Sequence, residues 1–487
     1  MLLSLVMIVR DEEEQLPGCL ASAQEAVDEI IIVDTGSSDR SVAIAEGFGA
    51  HVLCAQWNND FAAARNVGLS AAKGRWVLVM DADERFEGDP QRLRRLLAKT
   101  TAVGMEVPIR NEIGDGRIDL HSTLRVFRRL PGVRFERRLH EQVLPSLLAV
   151  AKGRRIVTAP FSLRHLGYAP DVVERKRKRQ RNLELARAEV AANPLDPFAA
   201  FNLGVEYTAA GDPEAGILQF RRSREITGHP QPWQSRLYKV EAQNLYRLER
   251  FEEALQVISK GLPSFPDYTD LYFLRGITMD AAGDSDGAEA ALRHCLRLGP
   301  AKSPPYDGVD PLFGGAAAAA ALGHLLCRQA RYDEALVLLR SATLDAPTFM
   351  PAVQALVDCI LVAGGGIDEL LAERPPDPLA VGAALFRAAR YDLALQAFAI
   401  AEEQHPDLPA DHYLAKAVAF LRLGDTQGAA LAVAAAGSEA AESARAYVLD
   451  LVGFAEGKIG RSGLKERYAP THPIWRDIPD DVDAVRA

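Results

Sequence analysis

The sequence predicts an α/β domain with a mostly parallel sheet and flanking helices, followed by an all-α solenoid of helical repeats. Up to about residue 168, apolar β-prone runs alternate with helical stretches, which is typical of right-handed crossovers between parallel strands. From about residue 194 the periodicity becomes helical, and short segments recur along the chain. The predicted parts are 1–170 for the α/β domain, 171–193 for a basic linking helix, 194–437 for the repeats, and 438–487 for a capping helix and tail.

Composition predicts a globular protein and argues against several other classes. Of the 487 residues, 48% are hydrophobic and 25% are charged, as in ordinary globular chains. The net charge of −10 gives no support to nucleic-acid binding. The five cysteines form no C-x-x-C pair, so reduced thiols in a cytoplasmic protein are expected. No apolar run reaches the length of a transmembrane segment, and the apolar start is interpreted as a buried strand rather than a signal peptide.

The elements of the first domain are predicted from apolar runs and turn residues. Strands are expected at 2–9, 29–34, 51–55 and 75–80, with helices between them. The segment 103–127 predicts a hairpin that turns at Gly114–Gly116. These strands would therefore form the sheet, with the helices packed on its faces.

Six short segments in the second half share a turn-forming start and a small residue five positions later. They begin at residues 211, 249, 283, 330, 389 and 424, so the spacings are 38, 34, 47, 59 and 35. The 59-residue gap leaves room for a degenerate copy around 348–374, and the 47-residue gap contains the loop "SPPYDGVDP". This pattern resembles the tetratricopeptide repeat, a helix pair with a period near 34. A generic helical bundle is the alternative. Such repeats could bind an acceptor, a partner, or a second copy of the chain in a homodimer.

Acidic residues follow two of the predicted strands. Asp34 ends "IIIVD", and the apolar run "WVLVM" leads directly into Asp81 and Asp83. Ligands in open α/β sheets bind beyond the carboxyl ends of the strands. Two carboxylates two positions apart can face the same way and suit a hard divalent cation such as Mn²⁺ or Mg²⁺. An exposed acidic turn is the alternative interpretation.

Four segments in order, "SLVMIVRDEE", "IIIVDTGSSDRS", "WNNDFAAARNVGL" and "RWVLVMDADE", together resemble family 2 glycosyltransferases, which have the GT-A fold. The resemblance is close over residues 3 to about 86 and looser to about 168. In combination with tetratricopeptide repeats it is similar to a bacterial subgroup that glycosylates peptides, proteins or surface polysaccharides. It implies a metal-dependent, inverting hexosyltransferase with a UDP-linked nucleotide-sugar donor and a peptide, protein or cell-surface glycan acceptor.

The resemblance also implies roles for single residues. Val9, Arg10 and Asp11 would border the base of the nucleotide, and Asp34 would bind the base or ribose. Arg65 would approach the nucleotide. Asp81 would reach the ribose or the metal, and Asp83 would be the principal metal ligand of this D-x-D motif. Alternatively, Asp34 only starts a turn and Arg65 is a surface charge.

The general base is the weakest point of the resemblance, because the Glu-Asp pair that many members carry is absent. The candidates are Glu141 first, His140 second, and Asp115 or Asp119 third. His165 would be a further metal or diphosphate ligand, or alternatively a structural residue.

The stretch 125–181 holds 16 Lys/Arg and 4 Asp/Glu. This charge would favour a diphosphate, or peripheral contact with an anionic membrane surface, or it forms a solvated helix face. The rival function is a non-catalytic repeat scaffold that binds partner proteins and carries a vestigial nucleotide-sugar domain.

Overall fold

The computed structural model describes residues 1–112, 118–151, 154–166, 172–228, 231, 233–302, 306–370, 377–405, 408–436 and four positions between 446 and 452. The chain divides into two compact units, Met1–Gly314 and Gly315–Ala487. The first unit contains the sheet and twelve helices among its described residues, and the second unit is helical. None of the described helices combines the length and apolar character that a membrane crossing requires.

A mixed sheet of nine described strands forms the N-terminal part of the first unit. The strands are β1 (Leu3–Val9), β2 (Glu29–Asp34), β3 (His51–Cys54), β4 (Trp76–Val79), β5 (Glu84–Glu87), β6 (Gly104–Glu112), β7 (Ile118–Arg128), β8 (Ile156–Thr158) and β9 (Ser162–His165). Their order in the sheet is β3-β2-β1-β4-β7-β6-β9-β5, and β8 pairs with β6. The first four strands in this order are parallel, and β7 pairs with β4 in the antiparallel direction.

The helices alternate with the first strands and then continue alone. Those of the first unit are α1 (Leu16–Ala23), α2 (Ser41–Gly47), α3 (Phe61–Ala71), α4 (Pro90–Lys99), α5 (Leu144–Val150), α6 (Val172–Ala192), α7 (Pro197–Ala209), α8 (Pro213–Ile226), α9 (Gln234–Arg247), α10 (Phe251–Gly261), α11 (Thr269–Ala281) and α12 (Ser285–Leu298). The predicted strands are confirmed. The predicted hairpin is also confirmed, since β6 and β7 pair antiparallel, although its turn at Gly114–Gly116 lies outside the described residues.

The sheet has an apolar core on each of its faces. Alternate residues of β1 point to opposite sides, so Leu5 and Met7 join one core while Val6 joins the other. Helix α3 lies close to the second face at Gly68, where a Cβ atom would come within 2.6 Å of Val6 Cγ1. The glycine thus allows α3 to approach the sheet, and α3 carries Arg65 to its edge.

The helices after α6 form successive antiparallel pairs, three described in the first unit (α7–α8, α9–α10 and α11–α12) and four in the second. Those of the second unit are α13 (Ala316–Arg328), α14 (Tyr332–Asp345), α15 (Met350–Val362), α16 (Ile367–Leu370), α17 (Pro378–Arg387), α18 (Tyr391–Gln404), α19 (Ala410–Arg422) and α20 (Thr426–Ala435). The small repeat residues Ala254, Ala288, Ala335, Ala394 and Ala429 are fully buried. The degenerate copy expected around 348–374 corresponds to α15 and the four-residue α16. The α/β domain and the tetratricopeptide-like solenoid are therefore confirmed.

A loop between α12 and α13 packs onto the helices before it. Lys239 Nζ of α9 donates to Gly308 O at 2.5 Å, and Asp270 Oδ2 of α11 accepts from the backbone N–H of Asp310 at 2.9 Å. Val309 is fully buried in the apolar cluster of α9 to α11. The inserted loop is thus part of the core of this helical region.

Candidate active site

The carboxyl ends of β1, β2 and β4 meet at one edge of the sheet. The parallel register pairs Val9 with Asp34, and β4 ends two residues before Asp81. Because the three strands run in the same direction, the polar residues that follow them lie together. The structure therefore brings the ends of the predicted donor-binding segments to the same edge.

Asp34 holds the turn that follows β2, and Asp11 joins the loop after β1 to that turn. Asp34 is 7% exposed, and its carboxylate accepts from the backbone N–H groups of Gly36 at 3.1 Å and Ser37 at 3.2 Å. Asp11 Oδ1 accepts from the Ser38 N–H at 2.6 Å, and Asp11 has a left-handed backbone with φ 53°. Asp34 thus does support its own turn, which was the alternative interpretation from the sequence.

Arg65 is the centre of an ionic cluster at this edge. Its side chain is almost fully buried; Nη2 donates to Asp81 Oδ1 at 2.7 Å and Nε donates to Glu141 Oε1. Burial disfavours the cation, but the carboxylates of Glu141 and Asp81 more than offset this and raise the pKa of Arg65 above its usual range. The sequence alternative of a surface charge is therefore wrong for Arg65, which joins two of the predicted site residues.

Two further members of this cluster had no role assigned from the sequence. Arg125 of β7 donates from Nη2 to Asp81 Oδ2 at 3.0 Å and to Glu84 Oε1 at 2.7 Å. Glu84 Oε2 also accepts from the Asp81 backbone N–H at 2.8 Å. The signal available in the sequence was Arg125, a charged residue in the apolar segment "LRVF". In the structure this part of β7 pairs with β4, the strand that leads into Asp81.

The environment separates the titration of the two cluster acids. Burial raises the pKa of Glu84 to about 7, with Arg125 opposing this effect and the charge of Asp81 adding to it. Burial acts in the same direction on Asp81, but Arg125 and Arg65 overcome it and hold the pKa of Asp81 well below its usual range. Asp81 is therefore the permanently charged member of the pair.

Asp83 and His165 form a second, more open pair beside the cluster. His165 Nε2 lies 3.0 Å from Asp83 Oδ2, and the Leu166 N–H donates to Asp83 O at 2.9 Å. The antiparallel pairing of β5 with β9 sets His165 opposite Glu84. The hydrogen bond with Asp83 raises the pKa of His165, against the effect of burial.

Asp83 and His165 are two side chains that could contribute ligands to a divalent cation. The cluster combines the guanidinium groups of Arg65 and Arg125 with three carboxylates, those of Asp81, Glu84 and Glu141. Both Asp81 oxygens already accept from arginine, whereas Asp83 and His165 keep 29% and 36% of their side-chain surface exposed. Within the described ranges, no group of three or more His, Cys, Asp or Glu side chains could hold a metal. Mn²⁺ or Mg²⁺ would thus take further oxygen ligands from a substrate.

The candidate bases lie in different places. Glu141 contacts Arg65 inside the cluster, and His140 Nε2 lies 3.3 Å from Glu206 Oε1 of α7. Asp115 lies outside the described residues. Asp119 is opposite Asn111 in the β6–β7 register, but its side chain is also outside them. Glu141 is therefore the candidate base that the structure joins to the other site residues.

The N-terminal part of the chain is similar to known proteins. Residues 4–147 match the model of Glycosyl transferase family 2. A TPR repeat-containing protein of Synechococcus elongatus is 38% identical over 234 residues, which cover 47% of this chain and 58% of that protein. The SPbeta prophage-derived glycosyltransferase SunS of Bacillus subtilis is 24% identical over 221 residues, 45% of this chain and 52% of that protein. The chain thus spans a little over half the length of these relatives.

Among solved structures, a tetratricopeptide repeat protein from Parabacteroides merdae covers 58% of this chain and 94% of its own. Its sequence identity is 17% and its TM-score is 0.35.

Proposed function

We propose, from the premise that residues 4–147 form a Glycosyl transferase family 2 domain, that this chain transfers a sugar from a nucleotide-sugar donor to an acceptor. The proposed donor is UDP-linked, the acceptor is a peptide, protein or cell-surface glycan, and the anomeric configuration is inverted. The convergence of Arg65, Asp81, Asp83 and His165 at the edge of the sheet supports this proposal. We also propose a cytoplasmic location, which the five free cysteines support.

The proposed donor site follows the loops at the strand ends. Val9, Arg10 and Asp11 border the base, and Asp34 binds the base or ribose. Arg65 and Arg125 donate to the two carboxylate oxygens of Asp81 and hold this group in place. Asp81 would then face the bound nucleotide-sugar donor as a charged carboxylate. Asp83 and His165 would hold Mn²⁺ or Mg²⁺, which supplies positive charge to neutralise the leaving diphosphate.

The proposed chemical step is a displacement at the anomeric carbon. An acceptor hydroxyl oxygen forms the new bond to this carbon, and the bond from the carbon to the diphosphate oxygen breaks with its electron pair. The hydroxyl proton passes to the base, for which Glu141 is the first candidate and His140 the second. The products are the glycosylated acceptor and a nucleoside diphosphate.

The rival proposal is a repeat scaffold with a vestigial nucleotide-sugar domain. The paired helices support a binding role for the second half of the chain, since stacked repeats present extended surfaces. The intact ionic cluster supports the enzyme instead. Burying Arg65 and Arg125 with their carboxylates carries a desolvation cost, and perturbed ionisable groups of this kind cluster at functional sites.

A donor screen tests the choice between enzyme and scaffold. The full-length protein is incubated with UDP-, GDP- and TDP-linked sugars in the presence of Mn²⁺, of Mg²⁺, or of chelator, and release of the nucleoside diphosphate is measured. Cation-dependent release from a UDP-sugar is the expected result. Release that is equally fast in excess chelator would remove the metal from the proposal, and binding of no nucleotide sugar by calorimetry would favour the scaffold.

A further inference from the structure

The loop 136–142, which carries His140 and Glu141, has a strained backbone. Glu136 and Gln142 exchange two backbone hydrogen bonds of 2.9 Å at its base. Between them, Arg137 and His140 have left-handed φ angles of 82° and 53°. Residues other than glycine adopt this conformation only when their surroundings compensate for its cost. The position of Glu141 therefore depends on what holds the loop.

On one side the loop is held by the glycosyltransferase domain. The Phe61 N–H at the start of α3 donates to Arg138 O at 3.0 Å. Glu141 contacts Arg65, one turn further along the same helix. These contacts fix Arg138 and Glu141. The two residues between them, Leu139 and His140, contact other parts of the protein.

On the other side the loop is held by helices that follow the sheet. Leu139 is 8% exposed and packs in an apolar cluster from α6 and α7, composed of Leu183, Leu185, Ala186, Val190, Ala199 and Leu203. The Arg137 guanidinium pairs with Asp196 at the N-cap of α7 and lies 5.1 Å from the ring centroid of Phe198. The first repeat helix and the linking helix thus bury the centre of the loop.

Glu206 makes the contact nearest to the candidate base. It lies on α7, is 8% exposed, and places Oε1 3.3 Å from Nε2 of His140, the residue directly before Glu141. Because Glu206 is buried on a packed helix, its carboxylate offers a fixed anchor for the imidazole. Loss of this anchor would release the strained residue next to Glu141.

We propose that Glu206 is a positioning residue for the transfer reaction, which acts through His140 on the conformation of the loop that presents Glu141. The first helical repeat is then part of the catalytic unit, in addition to any role of the repeats in binding acceptors. This inference rests on the proposed function with Glu141 as the group that takes the proton.

The test compares Glu206→Ala with Glu206→Gln in the full-length protein. Glu206→Ala should lower kcat about ten- to hundredfold, because small misplacements of a reacting group have effects of this size. The donor KM should change by less than about twofold, since the donor residues lie on other loops. Glu206→Gln keeps an Oε1 acceptor for the imidazole and should retain about half of the wild-type kcat or more.

Hydrogen exchange supplies a readout that does not depend on activity. The backbone amides of residues 137–141 should exchange faster in Glu206→Ala than in the wild type, with the sheet amides unchanged. The control is Glu402→Ala in the second unit, which removes a similar contact, 3.0 Å from His412 Nε2, together with the contacts of Glu402 to Lys416 Nζ at 2.8 and 2.7 Å. It should leave both kcat and the exchange of the loop unchanged.

Three outcomes would overturn the inference. They are a wild-type kcat in Glu206→Ala, an equal loss of kcat in Glu206→Ala and Glu206→Gln, or unchanged loop exchange in Glu206→Ala. If the wild-type protein transfers no sugar at all, the proposed function fails, and the exchange comparison still decides whether Glu206 holds the loop.

Discussion

Two groups of buried charges lie in different parts of the first unit, and they differ in their exposure to solvent. Around Arg65 and Arg125, the shared partner Asp81 keeps 39% of its side chain exposed. In the helical region, Lys239 Nζ contacts Asp270 Oδ2 at 2.7 Å, with the two side chains 8% and 0% exposed. Backbone groups of the inserted loop, Gly308 O and the Asp310 N–H, complete the second group.

The difference separates a candidate site from a structural element. The pair Lys239–Asp270 is hydrogen-bonded to Gly308 O and to the Asp310 N–H of the inserted loop, so it holds the loop in place. In the cluster at the sheet edge, Asp81 keeps part of its side chain exposed, as do Asp83 and His165 of the second pair. Buried charge alone therefore does not define a candidate site; the cluster at the sheet edge is a candidate because one of its carboxylates is also exposed. Four variants test this comparison.

The largest effect is expected in the closed pair. Asp270→Ala should lower the free energy of unfolding by about 3–5 kcal/mol, because Lys239 remains buried without its counter-ion. Urea unfolding followed by circular dichroism measures the change. A loss below about 1 kcal/mol would show that the pair is not the structural element we infer.

The second-largest effect is expected on activity, at the exposed pair of Asp83 and His165. Asp83→Ala should reduce donor turnover about a hundredfold or more, since it removes the principal proposed ligand of the cation. The free energy of unfolding should change by less than about 1 kcal/mol because the side chain is partly exposed. Asp286→Asn, an exposed position of α12, is the matched control and should leave turnover unchanged. Equal turnover in Asp83→Ala and Asp286→Asn would contradict the assignment.

A smaller effect is expected at Asp34, where turn formation and nucleotide binding can be separated. Asp34→Asn keeps an oxygen that can accept from the Gly36 and Ser37 N–H groups, so stability should be retained. Nucleotide affinity should fall about five- to hundredfold, as for the loss of a charged hydrogen bond of about 1–3 kcal/mol. Calorimetry with UDP measures it. Unchanged affinity would leave Asp34 with the turn alone.

The smallest effect is expected for an exposed ion pair of the repeats. Glu214 contacts Arg250 at 2.7 Å, with 63% of the Glu214 side chain exposed. Glu214→Ala should change the free energy of unfolding by less than about 1 kcal/mol, because solvent screens such pairs. The same urea unfolding experiment measures both Glu214→Ala and Asp270→Ala. Similar losses in the free energy of unfolding of the two variants would remove the distinction between buried and exposed ion pairs.

Much of the site could be predicted because its residues follow strands that are themselves evident. Asp34 and Asp81 come directly after apolar runs, and parallel strands bring such ends together. Arg125 and Glu84 could not be assigned in the same way. Arg125 reaches Asp81 only through the antiparallel register of β7 on β4, and an alternating pattern specifies the face of a strand but not its neighbour.

The repeats show the same limit. Their spacing predicted the helix pairs, including the degenerate copy that contains the short α16. It did not predict that the inserted loop buries Val309 against α9 to α11, because the loop itself has no periodicity that marks a partner.

The sequence by itself determined the elements of this protein, their order, and the acids at the strand ends, because hydrophobic periodicity and turn chemistry act over a few residues. Only the tertiary structure decided which charges meet: Arg65 with Glu141, Arg125 with Asp81, and His140 with Glu206 of the first repeat helix. These partners are 76, 44 and 66 positions apart. Their contacts depend on strand register and on the burial of Leu139 between α6 and α7, which arise only when distant segments pack into one core.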